Sequence, residues 1–401
     1  MKLGVVFVLF TVMIDAMGIG LMVPVMPDLI REVNGGSLGQ AALWGGVLST
    51  TFALMQFLFG PMLGGLSDRF GRRPVLLISL AVMAADYVVM ALANTIWLLL
   101  AGRVVGGITA ATQATAYAYM ADISAPKDRT KNFGLIGAAF GLGFVLGPLL
   151  GGVLAEYGTR APFWVAAGLC AANTVLGFIV LKETVTRAKA RRFEWRRANP
   201  LGALQQLGKL PGVWRLLTIY FLYNLAFAVY PSVWTYFGQE RFAWSPGMVG
   251  LSLGLFGVMM ALVQGGIIRL ALNNFGERGT VIFGHLFAIA AYLSLGIVVS
   301  GSLALILTPL AALAGVISPA LQGLMSKEVA DNAQGELQGV LTSTVSLAMI
   351  LSPIAMTSTF AYFTAEGAPI YLPGAPFLAG LVLSVIALIT FLWRPKRMSA
   401  A

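Results

Sequence analysis

The stretch GLSDRFGRRP, residues 65–74, places one acid and three arginines in a glycine-containing turn. The apolar runs on either side of it, residues 41–66 and 75–93, are almost uncharged. A compact charged turn between two such runs marks a boundary between lipid and water. This charged turn is more specific than an ordinary loop between two membrane helices. It predicts a membrane protein.

The composition of the whole chain supports this prediction. Of 401 residues, 58% are hydrophobic and 10% are charged, and the mean hydropathy is +0.85. A soluble domain cannot bury so much apolar surface, and a membrane β-barrel would alternate apolar with polar residues. Since a membrane helix needs about 20 apolar residues, we predict an all-α membrane protein with twelve transmembrane helices. We place the spans at residues 4–27, 41–66, 74–94, 96–121, 132–156, 161–182, 213–237, 246–272, 279–300, 302–326, 336–362 and 375–393.

The net charge of +10 is explained by membrane topology. With the N-terminus inside, 22 of the 26 lysines and arginines fall in cytoplasmic segments. The exceptions are Arg31, Arg160 and Arg241 in external loops and Arg103 within a span. This distribution follows the positive-inside rule, so we expect a multi-pass protein of the cell inner (cytoplasmic) membrane, both termini cytoplasmic, and no nucleic-acid partner. The first apolar run contains Asp15 and is expected to stay as a span rather than to be cleaved as a signal peptide.

The longest hydrophilic stretch, residues 183–212, divides the spans six and six. Its basic charge suits a cytoplasmic linker held near anionic headgroups, and a regulatory or partner-binding role is the alternative. The halves are faintly similar, since Phe70-Gly71-Arg72-Arg73 aligns with Phe275-Gly276-Glu277-Arg278. We therefore predict two pseudo-symmetric six-helix bundles, residues 1–182 and 213–401, with a substrate site between them near the midplane.

Three charged residues stand out within the predicted spans: Asp15, Asp86 and Arg103. A charge at the centre of a span costs about 2.5–3.5 kcal/mol and usually faces a cavity or a partner. At about 1.5 Å per residue, Asp86 and Arg103 come to similar depths on neighbouring antiparallel helices. They are expected to pair, either as a structural ion pair or as a proton-linked pair that separates in one conformation. Asp15 lies near the bilayer centre without an obvious partner, which favours a substrate or proton role over a buried acid hydrogen-bonded to a neighbouring helix.

The fifth span carries small residues at helical spacing, with Gly143, Gly147, Pro148 and Gly151 at its centre. Such spacing makes a flat face for close helix packing, and the proline can kink the helix. In a carrier that rocks, the same face is also a candidate gasket between the two halves.

The second half offers aromatic and polar candidates rather than acids. His285 is the only histidine and titrates near neutrality in water, although a single histidine within a helix is more often simply hydrogen-bonded. Gln264 falls at a similar depth in the eighth span. Tyr223, Asn224 and Phe227 of the seventh span are either packing residues or a wall for a flat aromatic ligand.

Several classes of protein are disfavoured by what the sequence lacks. It contains no metal-ligand cluster, no nucleotide-binding loop and no catalytic triad, so we expect no enzyme activity, no cofactor, no metal and no ATP drive. Cys170 is the single cysteine, so an intrachain disulfide is impossible and a small core residue is expected.

These motifs together resemble the major facilitator superfamily, and within it the twelve-span tetracycline/proton antiporters and related drug exporters. The resemblance implies efflux driven by proton entry. It places Asp15, Asp86, Arg103 and Gln264 on positions tied to transport. The matching segments are Ile14–Gly20, Asp68–Arg73, Arg103–Gly107, the glycine-proline motif of the fifth span, Pro319–Gly323 and Gln334–Gly339.

The same resemblance implies that the charged turn acts as a conformational latch at the cytoplasmic face. Asp68 is expected to interact with the positive N-terminal end of the eleventh helix, near Gly335 and Glu336. Arg72 is expected to pair with Asp122 at the inner end of the fourth span. Such contacts would hold one orientation of the carrier and break in the other.

The chain departs from the tetracycline-exporter pattern at several positions. Ala288 replaces an aspartate of the ninth span, and Met260 stands where a histidine can occur. His285 is expected to take over part of that role. Gln113 and Tyr117 stand where small residues are expected, and we count them among the substrate-binding candidates. These changes weaken the expectation for tetracycline itself.

The leading hypothesis is a proton-coupled secondary active transporter that exports a drug-like or amphiphilic small molecule by alternating access, as a monomer in the lipid bilayer. The alternative is a carrier, exporter or importer, for a specific metabolite, lipid, siderophore or sugar derivative. A non-transporting receptor or scaffold is disfavoured, because it has no need for titratable groups in lipid.

Overall fold

The computed structural model describes residues 3–110, 112–185, 202, 211–330 and 333–393. Helices dominate these residues and no strand occurs among them, so the predicted all-α membrane fold is confirmed. Most of the predicted linker, residues 183–212, lies outside the described residues, and the three-part division of the chain stays a prediction.

Each predicted span corresponds to one helix or to two helices in line. The first six spans are Leu3–Met22, Leu38–Phe70, Arg72–Leu92, Ile96–Thr109 with Thr112–Ile123, Arg129–Leu154 and Ala161–Val180. The last six are Trp214–Phe227 with Val229–Phe242, Pro246–Leu262 with the start of Ile268–Ile297, the remainder of Ile268–Ile297, Gly301–Leu313 with Ile317–Lys327, Gln334–Thr364 and Ala375–Leu392. A short helix, Met26–Asn34, follows the first span.

Eleven segments of the described chain are long and apolar enough to cross a membrane. One of them, Pro246–Ile297, has 52 residues, or roughly 78 Å of helix, which is far more than one bilayer needs. It turns back at Gly276, whose backbone is not helical (φ 63°, ψ 178°). The eighth and ninth spans meet at this glycine, so the described residues form twelve spans, as predicted.

Four spans that the sequence presents as continuous are interrupted in the structure. The tenth contains a 3₁₀ turn at Ala314–Val316. The fourth breaks after Thr109, where Ala110 leaves the helical region and its carbonyl accepts a hydrogen bond from Gln56 Nε2 at 3.4 Å. The seventh bends at Ala228. The eighth contains a π-helical turn at Val263–Ile267. Such turns leave backbone groups free and are frequent at functional sites.

Among the described residues, the contacts between the two halves are concentrated towards one end of the molecule. We call this the closed end; it contains helix Met26–Asn34. There Thr50 Oγ1 of the second span donates to Ile350 O at 2.9 Å, and Thr235 Oγ1 donates to Val23 O at 3.3 Å. On the other side of the interface a side chain at Gly250 would overlap the carbonyl of Pro148.

The opposite end carries Asp68 and Arg72, and we call it the charged end. Towards it the halves separate. Gly64 of the second span, Gly137 of the fifth and Gly265 of the eighth have no neighbouring atom within 4 Å where a side chain would point. The structure is therefore a state closed at one end and open towards the charged end.

Candidate functional site

The buried charges of the first half form one ion pair between the third and fourth spans. Asp86 Oδ2 lies 2.6 Å from Arg103 Nη2, and the two residues are 5% and 7% exposed. The sequence analysis predicted this pairing from the depth of the two residues in the bilayer alone. Whether the pair also takes part in proton coupling stays a prediction.

Glycines make room for the carboxylate of this pair. Gly102 and Gly106 lie one turn apart on the fourth span, and a side chain at either would approach the Asp86 oxygens within 2.6–2.8 Å. The guanidinium carbon of Arg103 lies 5.3 Å from the Phe52 ring centre, a cation–π contact. Asp86 Oδ1 and Arg103 Nε have no hydrogen-bond partner among the described residues, so the pair is not fully satisfied in this state.

Asp15 lies within the first bundle without a counter-ion. The described chain gives it no hydrogen bond and no ion pair, and its side chain is half-buried. The residue one turn earlier, Thr11, exchanges hydrogen bonds with Asn173 of the sixth span. This contact fixes the face of the first span that Asp15 shares, so Asp15 faces the sixth and third spans.

Tyr87 links the two acidic centres, and sequence reasoning missed it. Its hydroxyl packs against Gly18, one turn from Asp15, closely enough that any side chain at Gly18 would overlap it. It lies within electrostatic reach of Asp15, of Asp86 and of Arg103. Its position directly after Asp86 was the available signal, since neighbouring helical residues diverge by about 100° and can face two spans.

The charged turn is held by contacts within the first half. Arg72 forms an ion pair with Asp68 one turn before it, and its Nε lies 3.4 Å from Asp122 Oδ2. The expected Arg72–Asp122 pairing is therefore present. The expected contact of Asp68 with the eleventh helix is absent from the described structure, where Gly335 has no neighbour within 4 Å of a would-be side chain. The reason is the separation of the halves at this end.

The second half contains an aromatic cluster around Tyr230 of the seventh span. Its ring centre lies 5.6 Å from Phe227, 5.6 Å from Phe256 and 5.7 Å from Tyr292. The Tyr230 hydroxyl is buried without a hydrogen-bond partner in the described chain. Phe227 and Phe256 are half-buried and form the cluster's exposed edge, and Tyr223 extends it at 5.7 Å from Phe227.

A cavity of about 20 Å³ lies inside this cluster, large enough for one water-sized group. Sequence reasoning did not find this cavity, because its walls come from four different spans. Asn224 is not part of the wall: it is 8% exposed, and its Nδ2 donates to Tyr220 O of its own helix. The cavity is lined by Tyr230, Trp234, Leu253, Phe256, Leu295, Ala304, Thr308 and Ala311.

His285 is fully buried inside the second bundle. Its Nδ1 lies 2.9 Å from Val281 O, and its Nε2 has no partner in the described chain. Its ring centre is 6.4 Å from that of Tyr223. Ala288, which stands where an aspartate was expected, is 2% exposed on the same side. The two therefore share a face, as the sequence predicts, and the coupling role of His285 stays a prediction.

The remaining polar candidates are more exposed. Gln264 lies at the π-helical turn, two helical turns beyond Gly257, which packs on Val145 of the fifth span. At that spacing Gln264 lies on the face turned to the fifth span, where the halves have separated. Gln113 is exposed, and the half-buried Tyr117 lies 5.7 Å from Phe133 between ring centres.

Two groups at the closed end have perturbed acidity. Burial raises the pKa of the Asp28 carboxyl, against the effects of a hydrogen bond from Gln239 Nε2 at 3.2 Å and the charge of Arg31. Tyr371 donates its hydroxyl proton to Glu240 Oε1 at 2.7 Å. Burial and this hydrogen bond raise the pKa of Tyr371 to about 12. The Asp28–Gln239 bond joins the two halves.

Comparison with known proteins assigns the family. The profile described as the Major Facilitator Superfamily matches residues 8–353. The chain is 41% identical over 359 residues to the class C tetracycline resistance protein of Escherichia coli, covering 89% of this chain and 90% of that protein. The chain belongs to the major facilitator superfamily. The resemblance stated from the motifs is confirmed.

Other relatives agree with this assignment. The class G tetracycline resistance protein of Vibrio anguillarum is 39% identical over 360 residues, with 90% of this chain and 91% of that protein covered. The crystal structure of the human organic anion transporter MFSD10 (TETRAN) superposes with a TM-score of 0.71 at 25% identity, covering 97% of this chain and 99% of that one. The protein is therefore a multi-pass membrane transporter.

Within this superfamily fold, the small-residue motif of the fifth span does two jobs. Gly143, Gly147 and Gly151 pack on backbone carbonyls of the first span, inside the first bundle. Pro148 and Gly152, on the adjacent face, meet the eighth span of the other bundle. The neighbouring face therefore makes the contact between the halves, while the three glycines pack against the first span, which carries Asp15. A sealing role for this motif between the halves stays a prediction.

Proposed function

We propose that this transporter exports a flat, drug-like aromatic molecule in exchange for protons. One observation carries the proposal. The first half holds two carboxylates in its spans, of which Asp86 is paired with Arg103 and Asp15 has no counter-ion. Carboxylates in lipid are costly and are retained for ion pathways or ligand sites. Two carboxylates of which only one has a counter-ion differ in proton affinity, and this difference suits them to passing one proton.

Asp15 and the Asp86–Arg103 pair bind and release the protons that are exchanged for cargo. A buried carboxylate without a counter-ion binds a proton more readily than one beside an arginine. Proton uptake at Asp15 removes a charge from the first bundle and lets the bundles re-pack. Separation of Arg103 from Asp86 in the other state provides a second proton site. His285, with its free Nε2, is a further coupling group in the second half.

The charged end faces the cytoplasm, since most lysines and arginines lie on that side. The state described is then open to the cytoplasm, ready to load cargo, in the inner membrane of a bacterial cell with both termini inside. On closing, Asp68 and Arg72 meet the start of the eleventh span, where the helix N-terminus attracts the Asp68 carboxylate. The transporter works as a monomer, without enzymatic activity.

The cargo binds between the bundles. Phe227 and Phe256 offer the exposed aromatic edge on which a flat ring system stacks, and Gln264, Gln113 and Tyr117 provide polar contacts. The names of the class C and class G relatives make tetracyclines the first compounds to try. Ala288 and Met260 depart from the tetracycline-exporter pattern, so related polycyclic amphiphiles belong in the same panel.

The proton gradient is sufficient for this work. One proton moving inward gains roughly 2.3 kcal/mol per 100 mV and about 1.4 kcal/mol per pH unit. A 100-fold outward gradient of a neutral solute costs about 2.7 kcal/mol. One proton per molecule therefore sustains such a gradient.

Reconstituted vesicles test the proposal. The protein is placed in proteoliposomes that contain a pH-sensitive dye, and tetracycline, a cationic dye and a polycyclic amphiphile are added in turn. We expect a pH jump to drive accumulation of at least one compound, and addition of that compound to move protons the opposite way. If no compound moves under a pH jump and none shifts the internal pH, the proposed exchange is wrong.

A further inference from the structure

The third span begins without a cap of its own. Its helix starts at Arg72, and the preceding residue is Gly71, whose φ of 112° suits glycine and leaves no side chain to cap the helix. Pro74 contributes no N–H. The N–H groups of Arg72 and Arg73 therefore need acceptors from elsewhere, since the first turn of a helix has none within it.

Glu183, just after the sixth span, supplies both acceptors. Its Oε1 accepts from Arg72 N at 2.9 Å and its Oε2 from Arg73 N at 3.1 Å, across 111 positions of sequence. The same Oε1 accepts from the backbone of Thr184 at 2.8 Å and of Val185 at 2.9 Å. Any side chain at Gly71 would overlap this carboxylate, so the turn and the glutamate fit each other.

The neighbour of Glu183 reaches the other member of the charged turn. Thr184 Oγ1 donates to Asp122 Oδ2 at 2.9 Å, the oxygen that also faces Arg72 Nε at 3.4 Å. One short segment thus holds the start of the third span through Glu183 and the inner end of the fourth through Thr184.

The two adjacent arginines of the turn point to different partners. Arg73 Nη2 donates to Phe178 O of the sixth span at 2.8 Å, and its guanidinium carbon lies 5.2 Å from the Phe178 ring centre. Arg72 turns to Asp68 and Asp122. Arg73 and Glu183 therefore anchor the turn, while Arg72 stays available for its acidic partners.

We propose that Glu183, assisted by Thr184, is a positioning residue for the charged turn. It holds the N-terminus of the third span so that Asp68 and Arg72 are aligned to engage the eleventh span when the charged end closes. This inference rests on the proposed latch. Without the carboxylate the turn loses its alignment, the state closed at the charged end is destabilised, and the state open at that end gains population.

The test combines transport with labelling in the full-length protein. Ser346 lies one turn before Ile350, whose carbonyl accepts from Thr50 of the second span, so Ser346→Cys places a thiol near the face turned to that span. The single native cysteine, Cys170, is buried. A membrane-impermeant maleimide supplied at the charged end reports how often that end is open. For Glu183→Ala we expect labelling to rise and maximal transport rate to fall by roughly fivefold, the population change that loss of one helix cap produces, with the KM for cargo little changed.

Graded variants separate positioning from general instability. Glu183→Gln keeps one carbonyl acceptor and is expected to fall between wild type and Glu183→Ala. Thr184→Val removes one hydroxyl and is expected to act in the same direction more weakly. Asp128→Asn, an exposed carboxylate at the same end without a hydrogen bond in the described chain, is the matched control.

Each outcome decides a different point. If Glu183→Ala matches Asp128→Asn in both labelling and rate, the positioning role is wrong. If it lowers rate and labelling together, the effect is loss of fold and the role is also wrong. A wild type that moves no cargo contradicts the proposed exchange alone, because the labelling arm still reports on Glu183.

Discussion

The two halves of this transporter share a fold but differ in the chemistry of their interiors. The first bundle buries an ion pair, Asp86–Arg103, and holds a second, half-buried carboxylate, Asp15. The second bundle has no acidic residue in the middle of its spans and is built around the ring of Tyr230 instead. Its one titratable mid-span group with a free nitrogen is His285.

This difference indicates a division of labour between the bundles. Charged groups in lipid are retained where a proton or an ion must pass, and aromatic edges are suited to stacking on flat cargo. The fold alone does not require either, since both bundles have the same helix arrangement. The comparison therefore predicts that substitutions of the acidic groups in the first half uncouple transport, whereas those in the aromatic cluster of the second half change which molecule is carried.

The largest effect is expected from Asp15→Asn. The amide is nearly the same size but cannot exchange a proton, so accumulation driven by a pH jump should fall to the level of empty vesicles. Exchange of labelled for unlabelled cargo across the membrane at equal pH should persist, because it needs no proton. Coupled transport that survives this substitution would remove Asp15 from the mechanism, and loss of both activities would indicate a folding defect.

Arg103→Met is expected to give the next largest effect, on stability. It leaves the Asp86 carboxylate buried without its counter-ion, a loss of about 3–5 kcal/mol that should appear as a lower thermal unfolding midpoint in detergent. Adding Asp86→Asn should restore most of the loss, because no stranded charge remains. Arg269→Met, at an exposed arginine of the eighth span, is the control. A double variant no more stable than Arg103→Met alone would contradict this account of the pair.

Phe256→Ala tests the second half and is expected to act on cargo binding. Removing one ring from the exposed edge costs about 0.5–1.5 kcal/mol of aromatic contact, so the apparent affinity should fall by roughly twofold to twelvefold. The ratio of protons to cargo should stay the same. An altered proton ratio in Phe256→Ala would break the division of labour.

Tyr230→Phe, which deletes only a buried hydroxyl without a partner in the described chain, should leave stability unchanged or slightly higher.

Much of the fold followed from simple properties of the chain. Apolar runs fixed the spans because lipid leaves the backbone no other partner than its own helix. Depth counting brought Asp86 and Arg103 together, since 1.5 Å per residue is reliable in a helix. The residues flanking the turn, Asp68 and Arg72, were recognised from their motif.

What the sequence missed depends on contacts between distant segments. Glu183 caps the third span although it lies 111 positions after Arg72, the first residue of that helix. The placement of Tyr87 between the acids depends on the rotation of the third span about its own axis. The interruption at Ala110 has no proline to announce it, and the glycine pair Gly265-Gly266 does not by itself predict a π-helical turn at Val263–Ile267. The sequence also could not predict which conformational state the structure shows, because the same sequence forms both the state that is open and the state that is closed at the charged end.

The smallest expected effect concerns Asp28, at the closed end, whose bond to Gln239 joins the two halves. Burial raises its pKa while that end is closed; opening the end would return the carboxyl to its ordinary value of about 4. The closed form then binds the proton more tightly. The stabilisation of the closed form by this proton is complete below about pH 4. It is lost as the pH rises through the raised pKa of Asp28. Acid at this face should therefore favour the state described here.

Asp28→Asn should make this preference independent of pH, because the amide keeps the hydrogen bond to Gln239 but does not titrate. The measurement is labelling of Ser346→Cys at the charged end, with the pH varied only on the opposite side of the vesicle membrane. Glu32→Gln is the matched control, since Glu32 pairs with Arg160 within the first half. Equal pH dependence in Asp28→Asn and Glu32→Gln would show that the bond between the halves does not sense protons, and would leave proton sensing to the groups inside the bundles: Asp15, the Asp86–Arg103 pair and His285.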